Sequence, residues 1–390
     1  MKALHRAALA LLVLAAPARL LAAPLAAGAA PGNIAVAEPG DVQLHALMST
    51  MSIEDKVGQM IMSYPPKDKE AKVTVGAVVL TRDLLRDEAK VRARIEDLQR
   101  RATVPLLVAV DMEGGRLNRL HILKGFEKSP SAQEIGAGDE KEALEQGRKV
   151  GAGMKSLGMN CNLAPVLDMA DRGTMHEWKR SLGVDPEKVS RIGKAYAQGL
   201  WEAGVVPIAK HFPGYGMLDK NSDFHVVITD RSPAEVKHNL RPFMHAGPVL
   251  GGVLMANVAY KPFGGVPAIL SGELVTMAHD QGWLTVTDDL SVEALAEAIE
   301  SDPTEVVRRA FLAGNDILLT TAPIDWEKAL DYRKIVIDLV KEKPELEKRL
   351  DDSVLRVLRV KQKAGLLKPE AMVHVAPAAP KATEPARAAE

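Results

Sequence analysis

DPEKVSRIGKAYAQGLWEAGVVPIAKHF, residues 185–212, reads as one helix running into one strand. Asp185 stands before Pro186, a pair that opens helices: a cap carboxylate accepts from an orphan amide, and proline has no amide to leave orphaned. Val189, Ile192, Ala195, Tyr196 and Leu200 recur at helical spacing, and Gly204 ends the run. VVPIAKHF (205–212) then continues as an apolar strand that ends in Lys210 and His211. A strand apolar on both faces belongs in a parallel sheet covered by helices.

Seven further runs have the same character. They are VGQMIMS (57–63), VGAVVLT (75–81), PLLVAVDM (105–112), MNCNLAPVLDM (159–169), GGVLMANVAY (251–260), WLTVTDDL (283–290) and NDILLTT (315–321). Amphipathic segments lie between most of them. One is SPAEVKHNLRPFMHAG, where Ser232 takes a cap position before Pro233 and Glu235. Eight strands with helical crossovers predict an α/β chain, a single TIM-like (β/α)8 barrel. A doubly wound sheet is the alternative, but no glycine-rich phosphate fingerprint follows the first strand.

The bulk numbers narrow the function. With 390 residues, 47% of them hydrophobic, the chain can bury a large core. A net charge of -1 with no basic block argues against nucleic acid as a partner, and 4% aromatics leave few platforms for stacked bases. The first residues, MKALHRAALALLVLAAPARLLAAPLAAG, place Lys2 and Arg6 before an apolar run from Ala7 to Ala16. That run is shorter than the ~20 residues a membrane span needs, and small residues follow it around Ala23. The expectation is a signal peptide over residues 1–30, with an uncleaved anchor as the alternative. Cys161 is the single cysteine, so no intrachain disulfide can form. Export without disulfides suits a bacterial periplasm or the exterior, with no membrane attachment after cleavage. Residues 31–44 and the Ala/Pro-rich 371–390 are expected to be disordered, leaving one barrel domain over 45–370. We expect a monomer.

In a barrel of this kind, chemistry sits at the C-terminal ends of the strands. The polar residues here collect at those ends: Asp111 with Glu113, Arg116 and Arg119 just beyond; Asp168; Lys210 and His211; Asn257; Asp288 and Asp289. One carboxylate closing a strand often only caps the next helix. Several converging on one rim point to a site. The loop after the fifth strand, AKHFPGYGMLDKNSDFH (209–225), adds Asp223 and His225, which point to the same side if Asp-x-His is extended.

KHFPGYG, Asp223-Phe224-His225, DMEGGRLNRL, NLAPVLD, KRSLG and TDDLS, together with EDKVGQMIM and AGNDILL at the two ends, resemble glycoside hydrolase family 3, with the motifs in that family's order along the chain. The nearest type is the single-domain bacterial β-N-acetylhexosaminidases that act on cell-wall amino sugars, and the resemblance runs from about residue 45 to about 365. It implies Asp288 as nucleophile, with Asp289 structural, and His225 as acid/base paired with Asp223. It also implies that Asp111, Arg119, Arg180, Lys210 and His211 hold the sugar's hydroxyls and N-acetyl group. The implied substrate is a carbohydrate: cell-wall fragments containing N-acetylglucosamine. No metal or cofactor is expected; His176-Glu177 lacks a second histidine at helical spacing.

A retaining glycosidase needs a carboxylate to trap the oxocarbenium-like centre and a proton donor for the leaving oxygen. A histidine titrating near 6.5 can both give and take that proton around neutrality. Pro213, Gly214 and Gly216 would let the loop close over substrate and bring His225 in. The sequence departs from the family at Tyr215, where a histidine is usual, at Asn257, at the shortened QGWLTV turn, in a slightly longer 216–225 loop, and before Arg180. Three alternatives remain: phosphate as acceptor, since a histidine does not repel an anion; a different sugar, such as a β-glucoside; or a sugar-binding relative without catalysis.

Overall fold

In the computed structural model, which describes residues 41–68, 72–220, 222, 225–321 and 326–367, the 185–212 segment folds as one helix and one strand. The expected signal peptide (1–30), the expected disordered tail (371–390), Asp223 and all but the last four residues of the expected linker lie outside the described residues. Asp185 accepts from the Lys188 amide at 2.7 Å and caps the helix Pro186–Glu202. Gly204 follows at φ +75°, a turn that favours glycine. Val189, Ile192, Tyr196 and Leu200 are buried on the inner face.

Eight parallel strands surround one axis: β1 (Ile61–Ser63), β2 (Ala77–Val79), β3 (Leu107–Val110), β4 (Cys161–Asn162), β5 (Val206–Phe212), β6 (Gly252–Met255), β7 (Leu284–Thr287) and β8 (Leu318–Thr320). From β1 to β7 each strand pairs with the next in chain order, and β8 pairs back onto β1 through Ile61–Leu318, Met62–Leu319 and Ser63–Thr320. The remaining gap, between β7 and β8, is bridged by Val286 and Ile317, with Thr287 N–H donating to Ile317 O at 2.9 Å. The expected (β/α)8 barrel is therefore the fold, and helices wrap it on the outside.

The core divides accordingly. Met62, Ala77, Val79, Leu107, Ala109, Cys161, Leu163, Val206, Ile208, Leu254, Leu284, Val286, Ile317 and Leu319 fill the barrel. A larger cluster lies between the strands and the helices. The helices Glu140–Ser156 and Pro186–Glu202 approach so closely that a side chain at Gly147 would meet Tyr196 O at 2.2 Å. The helix Glu347–Lys363 closes the N-terminal end: Val357 joins the barrel-filling cluster, and Lys361 Nζ donates to Gln59 Oε1 at 2.7 Å.

Three expectations need correction. The run at 57–63 is not all strand, because Ser52 and Asp55 form a capping box that starts the helix Ile53–Gln59; the strand begins at Ile61. A short apolar run cannot by itself separate a buried helix end from a strand. The run 251–260 is split, since Ala259–Tyr260 leaves the barrel to pair with Ile228–Thr229. The packed body also starts before residue 45. Asp41 opens a helix to Ser49, Arg359 grips its carboxylate at 2.9 and 2.7 Å, and Leu44 is fully buried. Among the described residues, no helix is long and apolar enough to cross a membrane.

Candidate active site

The site follows from the two-residue period of the strands. Inward-facing positions alternate along each strand. Leu107 and Ala109 point into the barrel, so Asp111 is next above them; Val206 and Ile208 lead to Lys210; Leu284 and Val286 to Asp288; Ile317 and Leu319 to Thr321; Ala77 and Val79 to Thr81. The apolar barrel filling thus gives way to polar groups one step beyond the strand ends. Asp111, Lys210, Asp288, Thr81 and Thr321 all line a cleft of about 230 Å³, whose floor includes Val79, Leu163, Leu254 and Leu319.

Lys210 is the hub. Its side chain is 3% exposed, and its Nζ meets Asp111 Oδ1 at 2.5 Å and Glu113 Oε1 at 2.6 Å. Glu113 also receives a two-pronged bond from Arg180, Nε to Oε2 and Nη2 to Oε1, both at 2.8 Å. Burial alone would raise the Glu113 pKa, but Arg180 and Lys210 outweigh it and hold the carboxyl well below its usual range. Burial likewise opposes charge on Lys210, and Asp111 and Glu113 overcome it, leaving the pKa above the ordinary lysine value. Arg180 shifts upward for the same reason, with Glu113 again the chief attractor against burial. The cleft wall therefore holds fixed, ionised groups.

A second anchor lies beside it. Asp168 is fully buried and accepts from the His211 amide at 3.1 Å, from His211 Nδ1 at 2.6 Å and from the Tyr215 amide at 2.5 Å. The carboxylate fixes Nδ1 as the protonated nitrogen and leaves Nε2 as the other polar atom of the ring. Tyr215 takes the place where the related motif carries histidine. Its hydroxyl donates to Lys220 O at 3.0 Å and accepts from the Ser222 amide at 2.7 Å, closing the loop on itself.

The two adjacent aspartates on β7 behave differently. Asp288 lines the cleft, and its Oδ1 accepts from the Asp289 amide at 2.9 Å. Asp289 Oδ1 accepts from Ser291 N at 2.9 Å, Ser291 Oγ at 2.5 Å and Thr321 N at 3.2 Å, while its Oδ2 is bonded to Thr321 Oγ1. Asp289 ties β7 to the end of β8.

Of the residues singled out in the sequence, Asp111, Arg180, Lys210, His211 and Asp288 come together in the cleft. Arg119 does not line it; its amide donates to Met112 Sδ at 3.2 Å, and its Nε is buried with no partner among the described residues. His225 is exposed and also absent from the lining, whereas Ser222, three residues earlier, is part of it. Asp223 lies outside the described residues. Sequence reasoning gave Glu113 and Asp168 no task, although both organise the site. Charge balance was the available signal: a buried lysine, arginine and histidine at one rim require carboxylates beyond Asp111 and Asp288. Trp178 at the cleft edge had no such signal. Cys161, beneath the cleft, is sealed, and burial with the nearby Asp111 charge pushes its thiol up to about 12. Among the described residues, no group of three or more His, Cys, Asp and Glu side chains is placed to hold a metal ion.

Comparison with known proteins bears on this geometry. Residues 52–360 match the profile of the glycosyl hydrolase family 3 N terminal domain. A beta-hexosaminidase of Idiomarina loihiensis is 28% identical over 275 residues, covering 68% of this chain and 82% of that one. A glycoside hydrolase family 3 beta-N-acetylglucosaminidase of Paenibacillus sp. str. FPU-7 superposes with a TM-score of 0.73 at 28% identity, over 81% of this chain and 63% of that one. A beta-N-acetylhexosaminidase of Beutenbergia cavernae gives 0.70 at 27% identity, over 80% of this chain and 99% of its own length.

Proposed function

The chain belongs to glycoside hydrolase family 3 and is a glycoside hydrolase; on that premise we propose that it is a retaining β-N-acetylglucosaminidase working by double displacement. The observation that carries this reading is the position of Asp288. It is the next inward residue beyond Leu284 and Val286, and it enters a cleft whose opposite wall is the fixed Asp111–Lys210–Glu113–Arg180 network.

In the first step the Asp288 carboxylate attacks the anomeric carbon from the face opposite the leaving group. The glycosidic C–O bond breaks, and His225 gives its proton to the departing oxygen. In the second step His225 takes a proton from water, whose oxygen attacks the same carbon and releases the Asp288 carboxylate. Two inversions retain the configuration. The resemblance pairs Asp223 with His225 as the group that orients its ring. The exposed position of His225 suits delivery by its loop, and Ser222 in the cleft wall marks the point from which it would swing.

The remaining residues position the sugar. Lys210 Nζ has three N–H groups; two go to Asp111 and Glu113, which leaves one for a sugar oxygen. Arg180, its planar group locked on Glu113, and His211, its Nδ1 held by Asp168, also line the cleft, where the remaining N–H groups of Arg180 and Nε2 of His211 would meet sugar oxygens. Fixed donors of this kind cost little reorganisation as charge develops at the ring oxygen and anomeric carbon. The amino-sugar specificity is supported by the relatives' names, and the signal-like residues 1–30 support action outside the cytoplasm, on N-acetylglucosamine-terminated peptidoglycan fragments in the periplasm.

The test is hydrolysis of an aryl β-N-acetylglucosaminide beside the matching β-glucoside, with His225→Ala in parallel and with phosphate present or absent. Release from the amino sugar alone, independent of phosphate and lost in the variant, is expected. Sugar-1-phosphate as the main product would make the enzyme a phosphorylase, and a folded chain inactive on every substrate would favour the binding-only alternative.

A further inference from the structure

Asp111 and Glu113 reach one ammonium, Lys210 Nζ, at 2.5 and 2.6 Å, yet both lie beyond the backbone ladder that would align them. β3 pairs with β4 through Ala109–Cys161 and Val110–Asn162, and Leu163 N–H adds a last bond to Val110 O at 2.9 Å. With two residues, β4 is the shortest strand of the barrel. Met112, between the two carboxylates, is fully buried and already past the end of β3.

A side chain takes over there. Met112 N–H donates to Asn162 Oδ1 at 3.0 Å, and Asn162 Nδ2 donates back to Met112 O at 3.1 Å. Asn162 is itself fully buried. One amide thus supplies both bonds of a ladder rung, one step past the last backbone rung. The Met112 thioether is occupied too, accepting from Arg119 N–H at 3.2 Å. Residues 111 and 113 of an extended segment point to the same side, so holding Met112 fixes the spacing of both carboxylates. Asn162 is not part of the cleft lining, so it reaches substrate only through them. The residue just before β4 repeats the arrangement lower down. Asn160 accepts from Val108 N–H at 2.8 Å through Oδ1 and donates from Nδ2 to Leu106 O at 3.0 Å. It is buried as well, and neither it nor its partners line the cleft.

We propose that Asn162 is a positioning residue for the reaction: its amide extends the β3–β4 ladder by one rung and thereby sets Asp111 and Glu113 on the Lys210 ammonium. The proposal rests on the glycosidase reading above and adds a determinant of the same cleft wall. Asn160, with the same chemistry at the other end of β3, serves stability alone. Leucine fills the space of an asparagine but makes neither bond. The buried Met112 N–H and C=O would then turn to new partners and carry the two carboxylates with them. A displacement of about 1 Å at groups that hold substrate costs on the order of a hundredfold in rate.

The experiment assays the full chain, Asn162→Leu and Asn160→Leu on an aryl β-N-acetylglucosaminide, with urea unfolding of each, and repeats the Asn162 change in a Lys210→Met chain. The two single variants should lose comparable stability. Turnover should fall about a hundredfold in Asn162→Leu and stay close to native in Asn160→Leu. In the Lys210→Met chain, Asn162→Leu should cost less than about threefold more, because both changes act on one network. Asn162→Ala leaves room for a water to bridge to Met112 and should recover part of the lost turnover; it carries the comparison if the leucine chain does not fold. Equal losses of turnover in the Asn160 and Asn162 variants overturn the proposal and leave the glycosidase reading standing. So does native turnover in a folded Asn162→Leu or Asn162→Ala chain, or an undiminished loss on top of Lys210→Met. Inactivity of the native chain contradicts the glycosidase reading, and the role of Asn162 falls with it.

Discussion

Lys210 and Lys361 are both sealed inside the protein, at opposite ends of one barrel, and their protonation is pushed in opposite directions. At the C-terminal mouth, Lys210 has two carboxylates within 2.6 Å, and its pKa lies above the ordinary lysine value. At the closed end, Lys361 has only the Gln59 amide oxygen as partner among the described residues, and burial pulls its pKa down to about 7. Burial is the same in both places; partners decide the charge state. The mouth keeps ionised groups in fixed positions, as a site that must stabilise developing charge requires. The closed end buries an amine with no counter-charge among the described residues, and stability suffers for it.

The largest expected effect comes from breaking the mouth. Lys210→Met leaves Glu113 and Asp111 without their shared cation. Removing one partner of a buried ion pair costs about 3–5 kcal/mol, to be read from urea unfolding. Turnover of the aryl β-N-acetylglucosaminide should fall by on the order of a thousandfold, as expected when a fixed donor aimed at developing charge is lost. A variant that keeps near-native turnover would remove Lys210 from the site.

Lys361→Met should do the reverse. The unfolded chain binds a proton on this lysine up to roughly pH 10, whereas the folded chain releases it near 7. Between those values the unfolded state holds more protons, so stability rises with pH across that window; below about pH 7 the full penalty is present. The methionine chain should therefore be more stable at pH 7, by roughly 2 kcal/mol once the loss of the Gln59 bond is set against the relieved penalty. Its stability should also lose most of the rise between pH 7 and 10. The linkage at Lys210 runs the other way: its raised pKa contributes stability that is fully present below the unfolded value and is lost only as pH rises through the folded one. Chemical denaturation across pH 6–10 separates the two ends.

The smallest effect is at the loop. Tyr215→Phe strips the Ser222 amide and the Lys220 carbonyl of their shared partner, at a cost of about 1–2 kcal/mol. Amide exchange over 215–222 should accelerate, with KM and kcat changing together. Unaltered exchange would mean that the hydroxyl does not hold this loop.

The same contrast explains what could be read from the sequence. Barrel positions repeat every second residue, so Asp111, Lys210 and Asp288 were legible as strand-end groups from the apolar residues before them. Asp185-Pro186 and Ser232-Pro233 gave helix starts because caps are local chemistry. Pairings over long separations were not legible. Glu113 meets Arg180 across 67 positions, and Lys210 meets Asp111 across 99, so only the folded rim brings them together. The start of the body at Asp41 was hidden for the same reason, since its partner Arg359 lies 318 residues away. Lys361 sits in a helix whose heptad-like apolar spacing reads as amphipathic, and nothing local marks it as facing the closed end of a barrel.

The central claim is that Asp288 forms a covalent bond to the sugar, and trapping that bond tests it most directly. A fluorinated N-acetylglucosaminyl fluoride, which slows both steps but the second more, is incubated with the full chain, and the digest is read by mass spectrometry. The account predicts one sugar ester, on the peptide carrying Asp288, and none on Asp289 or in Asp288→Asn. A label on a different carboxylate, or no label from an enzyme that the reagent inactivates slowly and that turns over the aryl substrate, would contradict it.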